Sequence, residues 1–241
     1  MALAVGSAAG AAQSRDGSAY YARANTLGIL GAYSWDSSHM LLGSADNREL
    51  LNVGISYSRR LWMNHIVNWQ YDGELLPVAL ESDPLVLDTL NWTSPTVMTE
   101  KATVAQVGPC VPSSGSFSNV LDGITYSYTY TLTCSRQWTI GEAMSPVGFQ
   151  WNFLPRHKTQ ALLEGHGGYM YSTRPIPIDP AGSFNFTFDI GGGFERFLSN
   201  SSSMRIEYRY HHLSNHNTAT ENPGIDNGLI QVVYCFRLGR R

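Results

Sequence analysis

Residues 184–195 read Phe-Asn-Phe-Thr-Phe-Asp-Ile-Gly-Gly-Gly-Phe-Glu, the clearest alternating segment in the sequence. Large apolar side chains occupy every second position from Phe184 to Ile190, with Asn, Thr and Asp between them. Successive side chains of a β-strand point to opposite faces, so the alternation predicts a strand with one apolar and one polar face. The polar face is free of lysine and the apolar face is aromatic, which is typical of a barrel wall between a polar interior and lipid.

The same alternation recurs along the chain and predicts eight strands. They cover about residues 26–35, 51–60, 66–74, 147–153, 159–171, 184–195, 204–214 and 227–238. About ten residues are enough for a tilted strand to cross a bilayer, and the connections alternate between short turns and longer loops. We therefore expect an all-β fold, an eight-stranded antiparallel transmembrane β-barrel of the outer-membrane type that forms a single domain over residues 26–241. A soluble protein of two domains is the alternative.

The long connection between the third and fourth predicted strands, residues 77–144, is expected to be a large extracellular loop insertion. Three tyrosines at alternate positions between 126 and 130 predict an extra hairpin within it, projecting above the membrane. Cys110 and Cys134 lie in this region and could pair in an oxidising compartment, but the sequence does not decide whether they do. The role of the insertion also stays open.

Composition and charge exclude several classes of protein. The 241 residues carry a formal net charge of −3 without a basic stripe, which argues against a nucleic-acid partner. The sequence contains no apolar run of about 20 residues, so it predicts no transmembrane helix. Residues 1–12 are small and apolar, with an Ala-Gly-Ala site for signal peptidase, so we interpret residues 1–15 as a residual signal-peptide-like segment. A disordered, alanine-rich N-terminus is the alternative.

The candidate chemistry lies where the seventh predicted strand ends. Between residues 205 and 211, apolar side chains at even positions alternate with charged or polar ones at odd positions. By this parity His212 and Ser214 point to the lipid-facing side, and Asp226, at the start of the next strand, points the same way. Polar groups in this row also suit the wet headgroup zone, which is the structural alternative to a catalytic role.

These residue types suggest a nucleophile, a base and an acid. The Ser214 hydroxyl needs a neighbouring base to become a nucleophile, and His212 can take its proton. A carboxylate can orient the imidazole, and we favour Asp226 for this role over Glu221, which lies in the loop between the strands.

The same loop offers donors that could support an oxyanion. Asn215 and Asn222 carry short amide side chains near the predicted triad, and the backbone N–H groups of the turn could assist them. Asn222, Pro223 and Gly224 read as a rigid turn that would hold such donors in place.

The motif resembles the signature of the lipid A 3-O-deacylase (PagL-type) family of acyloxyacyl hydrolases. Its residues here are His212, Ser214, Asn215, Asn222, Pro223, Gly224 and Asp226. The resemblance covers about residues 26–77 and 145–241 and leaves the insertion outside. The best-known pattern has Glu as the acid, so the shorter Asp226 makes the identity of the acid the least certain part.

The resemblance implies an eight-stranded barrel in the bacterial outer membrane and a serine esterase that faces the outer leaflet. Its substrate would be lipopolysaccharide, from whose lipid A it would hydrolyse the 3-O acyl chain without a cofactor or a metal. A structural barrel or adhesin that presents the insertion is the leading alternative, and an outer-membrane phospholipase is another. The ester that is cleaved and the oligomeric state are not determined by the sequence.

Overall fold

A computed structural model describes residues 20–35, 41–96 and 99–239, and it is built almost entirely from antiparallel β-strands. The ten strands are β1 (Asn25–Ser34), β2 (Glu49–Met63), β3 (Val67–Thr93), β4 (Glu100–Val107), β5 (Ser113–Leu121), β6 (Ile124–Phe153), β7 (Thr159–Ser172), β8 (Phe184–Phe197), β9 (Ser202–Ser214) and β10 (Ile225–Arg237). The helix in the described ranges is one 3-10 turn at Asp179–Ala181. No described helix has the length and apolar character needed to span a membrane. The predicted signal-like segment at 1–15 lies outside the described residues.

The strands pair in one sheet in the order β4-β3-β2-β1-β10-β9-β8-β7-β6-β5, and β3 also pairs with β6. As a result, eight strands are linked in a continuous ring in which each pairs with two others: β3, β2, β1, β10, β9, β8, β7 and β6. All of these pairings are antiparallel. We call these eight strands the ring.

The ring places polar side chains inside and apolar side chains outside, which is the reverse of a water-soluble core. In β8, Phe184, Phe186, Phe188 and Ile190 are exposed, whereas Asn185, Thr187 and Asp189 are buried. The predicted parity of this strand is confirmed. Two long cations, Arg205 and Arg209 of β9, are almost fully buried and bind buried carboxylates of β3, β7 and β9. Such burial is tolerated because each guanidinium group is paired with carboxylates of opposite charge.

The structure corrects the expected number of strands and the nature of the insertion. We expected eight strands and, at 77–144, a loop that contains one extra hairpin, but the region is mostly strand. β3 continues for 27 residues and β6 for 30, and they pair with each other up to Thr93 and Ser127. β4 and β5 pair with the far parts of β3 and β6, and the result is a four-stranded sheet that we call the projection. Alternation in 77–144 was recognised only around the three tyrosines.

A disulfide bond joins Cys110 and Cys134, which settles the pairing that the sequence left open. The bond ties the segment before β5 to the far part of β6. The projection leaves the ring at the end where β9 finishes at Ser214 and β10 begins at Ile225. The predicted site therefore lies at the same end of the molecule as the projection.

Candidate active site

The end of β9 places His212 and Ser214 on the apolar, exposed face of the ring. The two residues are separated by one position in a strand, so their side chains leave the same face. Across the sheet, His212 pairs with Phe188 and Ser214 with Phe186. These two phenylalanines are 47 % and 45 % exposed, which marks this face as the outward one. His212 and Ser214 themselves are half-buried.

Asp226 stands directly opposite His212 because the two residues pair in register between β10 and β9. His212 Nδ1 lies 2.7 Å from Asp226 Oδ1, a hydrogen-bond distance. The carboxylate side chain is 0 % exposed and the imidazole 13 %. A proton on Nδ1 that is donated to the carboxylate leaves Nε2 free to accept a proton, which is the state a general base requires.

The Asp226 carboxylate is held by more than the imidazole. Oδ2 accepts hydrogen bonds from the backbone N–H groups of Leu41 and Leu42, at 2.8 and 2.9 Å. Oδ1 also accepts a hydrogen bond from the Tyr210 hydroxyl at 2.8 Å. With donors on both oxygens, the carboxylate is kept as an acceptor in one orientation. We call Leu41, Leu42 and Gly43 the clamp, because they bind Asp226 from a loop that is distant in sequence.

Backbone contacts fix the clamp against the start of β10. Ser44 N donates to Pro223 O at 2.7 Å, and Ala45 N donates to Gly224 O at 3.1 Å. The approach is so close at Gly43 that an added Cβ would lie 2.7 Å from Asp226 N. Gly224 has φ +63, and a Cβ there would lie 3.2 Å from His212 Cε1. Both glycines are needed because a side chain would displace the backbone around Asp226 or His212.

The two asparagines organise the loop that follows Ser214. The Asn215 side-chain amide donates to the carbonyls of Ala181 and Glu221, at 2.5 and 2.6 Å. Asn222 Oδ1 accepts the Asn215 backbone N–H at 3.1 Å. Both hydrogens of the Asn215 amide are therefore already used, so the geometry favours its supporting role over the direct oxyanion contact that the sequence suggested.

Glu221, the alternative acid, lies apart from the imidazole. Its side chain is exposed, and its backbone N–H donates to Pro180 O at 3.3 Å. Between the two candidate acids, the structure brings Asp226 to His212. His211, next to His212 in β9, hydrogen bonds with Asp189 on the buried face of β8.

Sequence reasoning missed Tyr210 and the clamp. Strand parity could have indicated Tyr210, because it lies on the same face as His212 and two residues before it. The clamp left no signal, since it acts through backbone N–H groups, which every residue type except proline provides.

The potential metal ligands in the described part of the chain are away from this site. They are Asp72, Glu164 and His166, all on the buried face of the ring. His212 and Asp226 form an imidazole–carboxylate pair, and Ser214 leaves the same face of β9; these are the residue types that acyl transfer through a serine uses.

Comparison with known proteins identifies the family to which the chain belongs. The sequence profile described as lipid A 3-O-deacylase (PagL) matches residues 112–234, about half of the chain. The match begins inside the region that we expected to be an insertion and includes His212, Ser214 and Asp226. No curated protein matches the chain. The extent of the profile match shows that the chain belongs to the lipid A 3-O-deacylase (PagL) family.

Proposed function

We propose that this protein is an outer-membrane serine esterase that hydrolyses the 3-O acyl chain of lipid A. The observation that carries the proposal is the hydrogen bond between His212 and Asp226 on the outward face of the ring, with Ser214 on the same face. Family membership supports the same activity and the same substrate.

The ring is proposed to be a closed barrel that spans the membrane. Its strands have 10 or more residues each, and about 9–11 residues cross a bilayer when a strand is tilted. Lipid cannot satisfy an unpaired backbone group, and the ring pairs each of its strands on both sides. Exposed apolar side chains and a buried polar interior also fit a barrel in lipid.

In the proposed reaction, Ser214 Oγ attacks the ester carbonyl of the acyl chain while His212 Nε2 takes the hydroxyl proton. The tetrahedral intermediate collapses as His212 returns that proton to the sugar oxygen that leaves. Water then attacks the acyl-enzyme, again with His212 as the base, and the fatty acid and free Ser214 are released. Asp226 orients the imidazole and stabilises it while it is protonated.

The oxyanion is proposed to be stabilised at the turn that follows Ser214. Asn222 is half-buried there, and its Oδ1 faces the Asn215 N–H, which leaves the Asn222 amide group as a donor. Asn215 would act indirectly by holding the loop between β9 and β10. Gly224 would keep Pro223 and Asp226 at the distances that the clamp requires.

The outward position of the site suits a substrate that is dissolved in the membrane. Phe186 and Phe188 pair with the two catalytic positions and continue the apolar outer face. An acyl chain can lie along this face while the ester reaches Ser214, so a deep pocket is not required. Lateral diffusion in the outer leaflet would deliver the lipid.

The proposal is tested with wild-type protein and Ser214→Ala, each reconstituted with lipopolysaccharide. Released fatty acid is measured, and Ser199→Ala in the turn between β8 and β9 is the matched control. We expect the Ser214 variant to lose at least ~10³-fold in rate and the Ser199 variant to match wild type. If wild type releases no fatty acid from several lipid A types, or if Ser214→Ala retains the activity, the proposal fails.

The same preparations distinguish the two other candidate functions. Vesicles of phospholipid alone replace the lipopolysaccharide in a parallel assay. Release from phospholipid but not from lipopolysaccharide would identify a phospholipase. Inactivity towards both lipids would favour a structural barrel or an adhesin that presents the projection.

A further inference from the structure

Three side chains on the buried face of the ring form a group that the proposed ester hydrolysis does not use. Asp72 on β3, and Glu164 and His166 on β7, are 0 %, 2 % and 3 % exposed. One potential ligand atom from each lies within 4.8 Å of the other two. An imidazole nitrogen with carboxylate oxygens is a ligand set that Zn²⁺ takes in proteins.

His166 is the member of the group that lacks a hydrogen-bond partner. Neither Nδ1 nor Nε2 of His166 is hydrogen bonded to any described residue, although the imidazole is buried. Its Nε2 lies 3.7 Å from Asp72 Oδ2. The imidazole reaches Asp72 across Gly148 of β6, where an added Cβ would be 2.2 Å from His166 Cδ2. The missing side chain at Gly148 therefore makes the space that directs the imidazole into the group.

The two carboxylates are oriented by other residues and still have capacity to bind. Glu164 Oε1 accepts a hydrogen bond from Arg209, whereas Oε2 has no hydrogen-bond partner in the described chain. Asp72 accepts hydrogen bonds from Ser58 at 2.8 Å and from Arg205 at 2.9 Å. Carboxylates that bind metals are commonly held by such outer hydrogen bonds, which fix their direction.

Carboxylates outnumber guanidinium groups around these three residues. Four buried carboxylates share two guanidinium groups, namely Asp72, Glu74, Glu164 and Glu207 with Arg205 and Arg209. When all four are ionised, the carboxylates outnumber the cations by two. Uncompensated charge is unfavourable in a buried site. One divalent cation would balance the group, whereas a proton on His166 would supply half of the charge.

We propose that Asp72, Glu164 and His166 bind one structural Zn²⁺ ion inside the ring. Two zinc bonds of about 2.1 Å span at most ~4.2 Å, so the 3.7 Å separation of His166 and Asp72 fits an ion between them. The widest separation in the group, up to 4.8 Å, requires a closure of roughly 0.6 Å when the ion binds. Arg205 and Arg209 would stay bound to the outer sides of the carboxylates.

The first test measures zinc in the folded full chain. Wild-type protein is folded in detergent with equimolar ZnCl₂ and desalted, and its zinc content is measured by mass spectrometry. We expect about one zinc per chain for wild type and below ~0.1 for His166→Gln. His157→Gln, which changes an exposed histidine in a turn, is the matched control and should keep the wild-type content. Content below ~0.1 in wild type, or unchanged content in His166→Gln, would overturn the proposal.

A second test uses wild-type protein alone, in case the variant does not fold. EDTA should lower the thermal midpoint by about 5–10 °C, since the ion binds the folded chain preferentially. Added ZnCl₂ should restore the midpoint, whereas MgCl₂ should not, because Mg²⁺ prefers an octahedron of oxygen ligands. A midpoint that is the same with EDTA and with ZnCl₂ contradicts the site. Neither test depends on esterase activity.

Discussion

The ring and the projection share a strand pattern but differ in how their edges are treated. Every strand of the ring pairs with two other ring strands, whereas β4 and β5 at the two sides of the projection each have one neighbour. Unpaired edge groups can be hydrated in water but not in lipid. One period-two pattern is therefore compatible with either environment, and the two regions differ in edge pairing rather than in alternation.

The faces of the two regions differ as well. The ring buries polar side chains and exposes apolar ones, so its two faces are clearly unequal in burial. In the projection nearly every residue of β4 and β5 is exposed on either face. One face nevertheless carries an aromatic cluster, in which the rings of Phe117 and Tyr128 stack with centroids 4.8 Å apart. The projection is a single layer of sheet held by pairing and local stacking.

The largest effect is expected from breaking the buried charges that only the ring contains. Arg209→Met should lower the free energy of unfolding by about 3–5 kcal/mol, because Glu74, Glu164 and Glu207 would lose their shared cation. Urea titration of the protein in detergent measures the change. Arg196→Met removes an exposed arginine of β8 and should cost at most ~1 kcal/mol. Equal losses in the two variants would contradict the assigned role of the buried network.

The second effect should be confined to the projection. Cys134→Ser opens a disulfide that spans 24 residues, and loss of such a cross-link typically costs ~3 kcal/mol. Limited proteolysis should then cut within residues 108–134 much sooner than in wild type. Melting of the ring and esterase activity should stay unchanged, since none of the described contacts of the triad comes from the projection. A matching loss of activity would show that the two regions are coupled.

The third prediction compares a glycine of the clamp with a glycine of the ring. Gly43→Ala places a Cβ 2.7 Å from Asp226 N, so the clamp should shift and activity should fall by about 10–100-fold. Gly31→Ala in β1 is the matched control, because a Cβ there meets nothing within 4 Å. Activity against lipopolysaccharide is the measurement. An active Gly43 variant would mean that the clamp does not position the acid.

The smallest effect is expected from one hydroxyl. Tyr210→Phe removes one hydrogen-bond donor to Asp226. It leaves the strand pairing of the ring, the clamp and the contact between His212 and Asp226 in place. A hydrogen bond to a carboxylate contributes about 1.5–3 kcal/mol, but other donors still hold Asp226, so the rate should fall by at most ~10-fold. The rate of lipopolysaccharide hydrolysis is the measurement. A rate equal to that of wild type would show that the Tyr210 hydroxyl does not help to hold Asp226.

Much of the fold and part of the candidate site could be predicted from the local sequence pattern. Alternation located eight strands and the outward side for His212 and Ser214, because the period of two is a property of the backbone itself. It failed for much of 77–144: β4 and β5 are exposed on both faces, so the apolar-polar contrast that marks a ring strand is weak in them. The catalytic roles of His212, Ser214 and Asp226 remain predictions, to be tested by the Ser214 variant.

The face of each strand residue and the order of the motif follow from the amino-acid sequence alone, since both depend on neighbours along the chain. The groups that contact that face are set by tertiary contacts. Leu41 and Leu42 bind Asp226 across 185 and 184 residues, through backbone groups that no side-chain pattern reveals. The register that sets His212 against Asp226 likewise depends on how β9 and β10 align. Such contacts arise from strand pairing at long separation, which a local period cannot specify.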